Sequence, residues 1–448
     1  MSRVSDSKLP LGWAGIVRLG LVQSAIGGIV MLATSLLNRV MVVEYALPAA
    51  LPAGLVAWHY AVQLTRPLWG HGSDRGRRRT PWIVGGMAVL ATGMLLAVAA
   101  LGLLATHTVA GYPLAIFAFA MVGAGVGAAG TSLLALLATR VAPERRAAAA
   151  SITWIMMVAG IVVTAGFAGS LLAPFSLARL AAVTGGIAGA AFLIATFAVW
   201  GIEGQVTEPA IAIPVAVGPA PGFGSALREM WADDEARRFT IFVLLSMFAY
   251  SMQDLILEPF SGLLFGFTPA QSTQLSAVQH GGVLVGMILV GVGGGAFGGT
   301  RRWGMGRWIV GGCVGSALAL AGLAVAARVG PAWPLSANIA VLGFANGVFA
   351  VAAIGAMMGL AGAGGSNAQG GREGIRMGVW GAAQAIGFGA GGLIGAVGLD
   401  AGRAIIGSTP KAFTIVFAIE AALFLAAAIL AISAASRAAP RPLASLAA

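Results

Sequence analysis

Residues 81–105 read PWIVGGMAVLATGMLLAVAALGLLA and carry no charged side chain. A bilayer core is about 30 Å thick, so about 20 apolar residues in an α-helix are needed to cross it. The run is long enough and predicts a transmembrane helix. Similar stretches on both sides of it predict the other spans, near residues 13–42, 49–70, 110–139, 148–173, 177–201, 239–264, 271–297, 306–328, 335–361, 374–399 and 411–436. The sequence therefore predicts an all-α integral membrane protein with twelve transmembrane helices.

Composition supports a lipid environment. Of the 448 residues, 58% are hydrophobic and only 9% are charged, whereas soluble domains carry about 25% charged residues. The 67 glycines suit helices that pack closely in a membrane. The formal net charge of +11 is interpreted as basic loops that fix topology, and no nucleic-acid partner is expected. Cys313, the single cysteine, excludes an intrachain disulfide.

The loops predict orientation and two halves. A polar, proline-containing stretch at 202–238 is predicted to be a cytoplasmic linker between an N-terminal six-helix half, 1–201, and a C-terminal half, 239–448. With both termini in the cytoplasm, most lysines and arginines fall on the cytoplasmic side, as the positive-inside rule requires. The basic residues left on the opposite side are Arg179, Arg328, Arg403 and Lys411.

Internal similarity predicts that the two halves are repeats. The segment Trp82–Gly86 reads WIVGG, and the same letters recur at Trp308–Gly312, 226 positions later. Trp154 and Trp380 are also 226 positions apart. Two matches at half the chain length favour two homologous six-helix repeats, which is the plan of major facilitators.

The loop after the second helix, residues 70–79, reads GHGSDRGRRR. It resembles the loop motif of the major facilitator superfamily, and the matching positions are Gly70, Asp74, Arg75 and Arg78. The sequence departs from the motif by one residue, since glycine follows Arg75 directly. Asp74 is expected to pair with arginines at a helix end and to lock neighbouring helices. A plain basic loop is the alternative.

Four further segments resemble one branch of that superfamily, the PucC or LhaA-type family that delivers (bacterio)chlorophyll. They are LNRVMVVE at 37–44, SMQDLILEPF at 251–260, QSTQLSAVQHGG at 271–282 and REGIRMGVWG at 372–381. The resemblance implies handling of (bacterio)chlorophyll or a precursor and assembly of light-harvesting complexes in the photosynthetic membrane of a bacterium. Expected partners are antenna polypeptides or pigment-synthesis enzymes, with membrane lipids around the chain.

His280 is the first candidate for a pigment contact, because ionisable residues inside a bilayer are costly and often functional. A neutral imidazole can be an axial ligand to the pigment magnesium, although protein-bound Mg²⁺ usually prefers oxygen. Gln279, Gly281 and Gly282 adjoin it and could offer a flat surface to the ring, and His59 lies at similar depth in the equivalent helix. No metal is expected to bind the protein directly. The alternative is a histidine bonded to a neighbouring helix, with glycines that serve packing.

Charged residues near the ends of helices one and seven predict an ion pair. Arg39 and Glu44 close helix one, and Asp254 and Glu258 close helix seven, four residues apart and thus on one helix face. Pairing of Arg39 with either acid would offset the desolvation of both groups and could gate the passage between the halves. Gln253 could add a hydrogen bond there.

Three function classes were weighed. The first is a non-enzymatic pigment-delivery and assembly factor, which the resemblance implies. The second is a proton-coupled small-solute transporter, which needs acids in the middle of cavity-lining helices; only Asp254 and Glu258 come close. The third is a pigment-modifying prenyltransferase, which needs paired aspartate-rich motifs that the sequence lacks. A GxxxxGK[ST] phosphate loop is also absent, so ATP hydrolysis is not expected.

Overall fold

A computed structural model describes residues 11–66, 69, 78–106, 109–142, 145–203, 231–232, 234–293, 305–362 and 372–435. These residues form helices and short connections, with no strand among them. The helices, numbered here in chain order, are α1 Trp13–Glu44, α2 Ala50–Gln63, α3 Thr80–Ala105, α4 Gly111–Arg140, α5 Arg146–Leu171, α6 Leu177–Val199, α7 in two segments Asp234–Asp254 and Leu257–Phe265, α8 Pro269–Gly293, α9 Met305–Val329, α10 Leu335–Gly362, α11 Arg372–Ile406 and α12 Thr409–Ala435.

The predicted fold class is confirmed. Within the described residues, eleven helices are long and apolar enough to cross a membrane. The remaining one, α2, has 14 residues and is shorter than the predicted span at 49–70. Residues 67–68 and 70–77 lie outside the described part of the chain.

The helices cluster into two compact units. Unit 1 consists of Met1–Met41, Trp58–Glu208 and Thr268–Ala277, and unit 2 of Val42–Ala57, Pro209–Phe267 and Val278–Ala448. Two short segments thus group with the unit opposite to their predicted half. Most of the predicted linker, at 204–230 and 233, lies outside the described residues, and the predicted boundaries stay a prediction.

Glycines let helix backbones meet inside each unit. In unit 1, a methyl group at Gly86 of α3 would lie 2.6 Å from the backbone nitrogen of Ala129 in α4. In unit 2, a methyl group at Gly395 of α11 would lie 2.6 Å from the carbonyl oxygen of Met252 in α7. Distances this short exclude a side chain, so the high glycine content is used for contact between helices.

Helix α7 is broken immediately after Asp254. Leu255 and Ile256 form a turn, and the second segment begins at Leu257. Pro259 explains the break, because it lacks an N–H to donate and is tolerated only in the first turn of a helix. The prediction that Asp254 and Glu258 share one continuous helix face is therefore wrong.

Helix α1 is wound more widely near its end. Two π-helical turns, Leu32–Leu36 and Val40–Glu44, flank the short α-helical segment Leu37–Arg39. Such turns are rare and often mark functional positions. They set the direction in which Asn38 and Arg39 project, and both side chains are buried.

Candidate functional site: a histidine and glycine face on α8

Helix α8 has an exposed apolar face. Val278, Val285 and Leu289 are 40%, 59% and 43% exposed. Their spacing places Gly281 on the same face. No atom lies within 4 Å of the position that a methyl group at Gly281 would occupy, and His280 next to it is half-buried. An apolar ring could therefore lie over Gly281, with His280 as the neighbouring residue in the chain.

An adjacent face of α8, about 90° around the helix axis, is closed by α10. A methyl group at Gly282 would lie 2.8 Å from the backbone nitrogen of Phe344, and one at Gly286 would overlap the carbonyl oxygen of Phe344. In return, a methyl group at Gly343 would overlap the carbonyl oxygen of Gln279. Gly282 and Gln279 are thus packed against α10. The prediction that Gly282 offers a flat surface to a pigment is contradicted, because a backbone already fills that surface.

His59 is enclosed in unit 1, with 1% of its surface exposed. Arg66 donates a hydrogen bond to Oε1 of Gln63, so Nε2 of Gln63 is left to donate to Nε2 of His59 at 2.8 Å. The lone pair of that ring nitrogen is thereby engaged, and Nδ1 is buried with no hydrogen-bond partner. The structure places His59 in a buried chain of polar groups and not at a surface where a pigment could bind.

Packing also identifies the counterpart of His59 in unit 2. In unit 1, a methyl group at Gly123 of α4 would lie 2.5 Å from the carbonyl oxygen of His59. In unit 2, Gly343 of α10 stands in the same relation to Gln279. Both contacts connect corresponding helices of the two predicted repeats, so Gln279 is the packing equivalent of His59. His280 belongs to a different helix face.

The residues of the predicted ion pair differ in burial. Arg39 is 1% exposed, and its Nε donates to the hydroxyl of Ser272 at 3.2 Å in unit 1. In unit 2, Glu258 is 4% exposed and Gln253 is fully buried, while Asp254 is half-buried and Glu44 is exposed. The pairing of Arg39 with an acid of α7 and its role as a gate stay predictions.

A carboxylate missed by sequence reasoning organises the end of α3. Glu203, just after α6, accepts hydrogen bonds from the backbone N–H of Arg79 and of Thr80, each at 2.8 Å. Arg140 at the end of α4 donates to the carbonyl oxygen of Glu203 at 3.2 Å. A carboxylate at a helix N-terminus satisfies free N–H groups and the helix dipole. Glu203 therefore ties the ends of α3, α4 and α6 together.

Of the predicted loop motif, Gly70, Asp74 and Arg75 lie outside the described residues, and Arg78 is exposed. The helix-locking contact found in the described part is the one made by Glu203. A sequence signal for it existed, since Glu203 is an acid only four residues after an apolar span. What the sequence does not show is which helix end it reaches.

Replacing Glu203 by glutamine should destabilise unit 1 by about 1 kcal/mol, as the loss of a helix cap does. Burial acts to raise the pKa of Glu203, but hydrogen bonds from Arg79 and Thr80 and the charge of Arg79 outweigh it and hold the pKa below its usual value. A lowered pKa stabilises the fold above the unfolded value of about 4.3, and this stabilisation is lost as pH falls through the folded value. Thermal unfolding should therefore separate wild type from variant at neutral pH and bring them together in acid.

Exposed Arg78 provides the control for that measurement, because Arg78→Gln changes a charge in the loop before α3 and leaves the backbone hydrogen bonds to Glu203 in place. Its midpoint should match wild type at both pH values. An equal difference between wild type and Glu203→Gln in acid and at neutral pH would contradict the assignment.

A second missed carboxylate lies in the last helix. Glu420 of α12 is fully buried in unit 2, although it falls inside the predicted span at 411–436. Asp254 and Glu258 were the acids predicted to come closest to the middle of the spans, and Glu420 has to be added to them. The signal was an acid in the middle of an apolar run, which by itself indicates a functional position.

Arg18 of α1 has a structural role in unit 1. Its Nε donates to the carbonyl oxygen of Ala198 at 2.9 Å, and its Nη2 donates to the carbonyl oxygens of Phe197 and Trp200. The carbonyls of Phe197 and Ala198 belong to the last turn of α6 and that of Trp200 directly follows it, where the regular intrahelical hydrogen bonds end. Arg18 thus caps α6.

The sequence of this chain matches the family model described as PUCC protein over residues 36–439. The chain belongs to the PUCC protein family. This confirms the resemblance carried by the segments on α1, α7, α8 and α11. A protein of Rhodobacter capsulatus named bacteriochlorophyll synthase 44.5 kDa chain is 49% identical over 423 residues, which cover 94% of this chain and 96% of the relative.

Two further proteins are more distantly similar to this chain. A protein named PucC of Rhodobacter capsulatus is 28% identical over 442 residues, which cover 95% of this chain and 92% of the relative. Among solved structures, a peptide transporter POT in complex with alafosfalin superposes with a TM-score of 0.68 at 14% identity, covering 96% of both chains. Identity this low shows the fold alone, which is that of major-facilitator-like transporters.

The comparisons also correct one prediction. The sequence analysis predicted a protein that is not an enzyme. The relative with 49% identity over nearly its whole length carries the name of a synthase chain. That name contradicts the prediction.

Proposed function

We propose that this PUCC protein binds (bacterio)chlorophyll or a precursor at the exposed face of α8 and delivers it during assembly of light-harvesting complexes. The observation that carries the proposal is the open surface at Gly281, where a methyl group would have no protein atom within 4 Å, with the half-buried His280 next to it in the chain. A pigment bound there would supply a magnesium centre that accepts an axial ligand. His280 would be that ligand, and Gly281 with the apolar side chains around it would lie under the ring.

The proposal extends to place and partners. The protein would act in the photosynthetic membrane, with both termini in the cytoplasm, and would hand pigment to antenna polypeptides or receive it from pigment-synthesis enzymes. Entry from the side is supported by the exposed apolar residues Val285 and Leu289, which lie on the same face as Gly281. Pigments are soluble in lipid, so such a face can bind them without an aqueous passage.

The test is the absorption spectrum of the protein purified in detergent from a pigment-making host. Wild type should carry pigment, and His280→Ala should carry at least about tenfold less, as expected when a metal site loses an essential group. His59→Gln is the matched control, since that histidine is enclosed, and its pigment content should equal wild type. Colourless wild type, or full pigment content in His280→Ala, would overturn the proposal.

A second candidate is participation in pigment synthesis, and the name of the 49% identical relative favours it. In that case the protein would be one chain of an enzyme that converts a bacteriochlorophyll precursor. Membranes from a host lacking this chain should then convert the precursor more slowly, and the purified protein should restore the rate. Unchanged conversion in its absence would argue against this role.

A further inference from the structure

Unit 2 contains a carboxyl group with no hydrogen-bond donor. Glu420 is 0% exposed, and neither side-chain oxygen has a hydrogen-bond partner among the described residues. An ionised carboxylate in such a place is very unfavourable unless donors or a cation compensate for its lost hydration. The physically economical state of Glu420 is the neutral acid.

Asp254 and Glu420 lie on stretches of α7 and α12 that pack against each other. Phe260 of α7 contacts Phe417 of α12 with ring centroids 5.0 Å apart. Further along, Phe349 of α10 lies between the two helices, 6.1 Å from Phe242 of α7 and 6.0 Å from Phe424 of α12. Helices α7 and α12 therefore run antiparallel. Asp254 lies between the two contacts on α7 and Glu420 lies between them on α12.

The two carboxyl groups affect each other electrostatically. Two carboxyls that share a site of low dielectric constant cannot both be ionised without a strong penalty. At least one proton shared by the pair removes this repulsion. The pair then behaves as one unit that takes up and releases protons.

Two buried amides of unit 2 also have side-chain atoms without a hydrogen-bond partner among the described residues. Gln253, next to Asp254, is fully buried, and neither its side-chain nitrogen nor its oxygen has a partner in the described structure. Asn346 of α10 accepts a hydrogen bond from Ser316 at 2.7 Å, and its Nδ2 is buried without a partner. Asn346 precedes Phe349 by one turn, as Glu420 precedes Phe424, so the amide of Asn346 lies at the level of Glu420. Amides offer both donors and acceptors and therefore suit a carboxyl group that gains and loses a proton.

We propose that Glu420 and Asp254 form a proton-binding site inside unit 2, in which the pair holds at least one proton at neutral pH. A proton is favoured over a metal cation because the described residues contain no group of three or more His, Cys, Asp or Glu side chains that could hold a metal ion. The other ionisable side chains that the structure describes on α7, α9, α11 and α12 are Arg237, Arg238, Tyr250, Glu258, Arg307, Cys313, Arg328, Asp400, Arg403 and Lys411. Asp254 is the one with an electrostatic effect on Glu420. This site does not depend on the proposed pigment binding.

Infrared spectroscopy of the purified protein tests the proposal. At neutral pH, wild type should show the carbonyl stretch of a protonated carboxylic acid, which shifts in D₂O. The band should disappear in Glu420→Gln, which keeps the shape of the side chain, and should move in Asp254→Asn, since the neighbouring group has changed. Glu203→Gln is the control, because it removes an ionised carboxylate and should leave the band intact.

Two results would overturn the proposal. One is a wild-type spectrum that lacks the protonated-acid band, or that has a band which Glu420→Gln leaves in place. Either result would mean that Glu420 is ionised. The other is a band that disappears when sodium replaces potassium in the buffer, which would mean that a metal cation displaces the proton. If Glu420→Gln does not fold, the Asp254→Asn spectrum decides, because an unchanged band would exclude a coupled pair.

Discussion

Gly343→Leu should destabilise unit 2 by about 3 kcal/mol or more, since overpacking of a tight contact costs this much when the backbone cannot move away. The first side-chain carbon at position 343 would overlap the carbonyl oxygen of Gln279. Backbone atoms cannot rotate aside as a side chain can, so α8 and α10 would have to separate. The buried thiol of Cys313 reports this directly, because a thiol-reactive fluorophore labels it only on unfolding.

The matched control is Gly311→Leu on α9. No atom lies within 4 Å of a methyl group at Gly311, and leucine favours helix more than glycine does by about 0.8–1.0 kcal/mol. Its labelling midpoint should equal wild type or rise. A normal midpoint for Gly343→Leu would mean that α8 and α10 do not pack at this glycine. The pigment content of Gly343→Leu would also show whether the proposed pigment-binding face of α8 depends on that packing.

Arg18→Met should destabilise unit 1 by about 1.5–3 kcal/mol, the usual contribution of hydrogen bonds to a charged group. The substitution keeps the length and apolar stem of the side chain but removes the donors to three carbonyl oxygens at the end of α6. The carbonyls of Ala198 and Trp200 would lose this donor, while that of Phe197 would keep the backbone N–H of Trp200. Intrinsic fluorescence during heating suits the measurement because Trp200 is one of the residues contacted.

Arg18→Lys separates charge from geometry in that experiment. A lysine keeps the positive charge near the helix C-terminus but cannot reach all three oxygens, so its midpoint should fall between wild type and Arg18→Met. If both variants unfold like wild type, then Arg18 contributes nothing to the end of α6.

The positions of the helices were largely predictable from the sequence, because a lipid environment favours helices over other backbone conformations. An apolar run of about 20 residues in a bilayer satisfies its backbone hydrogen bonds only as a helix, so hydropathy alone predicted spans such as Leu177–Val199 within a few residues. The prediction failed where a local residue overrode the average. Pro259 divides α7 into two segments, and π-helical turns widen α1 on both sides of Arg39.

The candidate site was predictable only in part. His280 is a candidate functional residue from the sequence alone, because a histidine in an apolar span is rare. The glycines after it could contact either a ligand or a neighbouring helix, and composition does not show which. Packing shows that Gly282 contacts α10 while Gly281 remains open. His59, similar to His280 in depth, is enclosed by groups on its own helix and on α4.

By itself, the sequence determined the solvent, the all-α fold and the family of this protein, because each depends on the identity and order of residues along the chain. The tertiary structure alone decided which groups meet across helices: Glu203 at the start of α3 and Arg18 at the end of α6. Such meetings depend on how each helix is rotated about its axis. That rotation is set by contacts with neighbouring helices, which hydropathy along one helix does not specify.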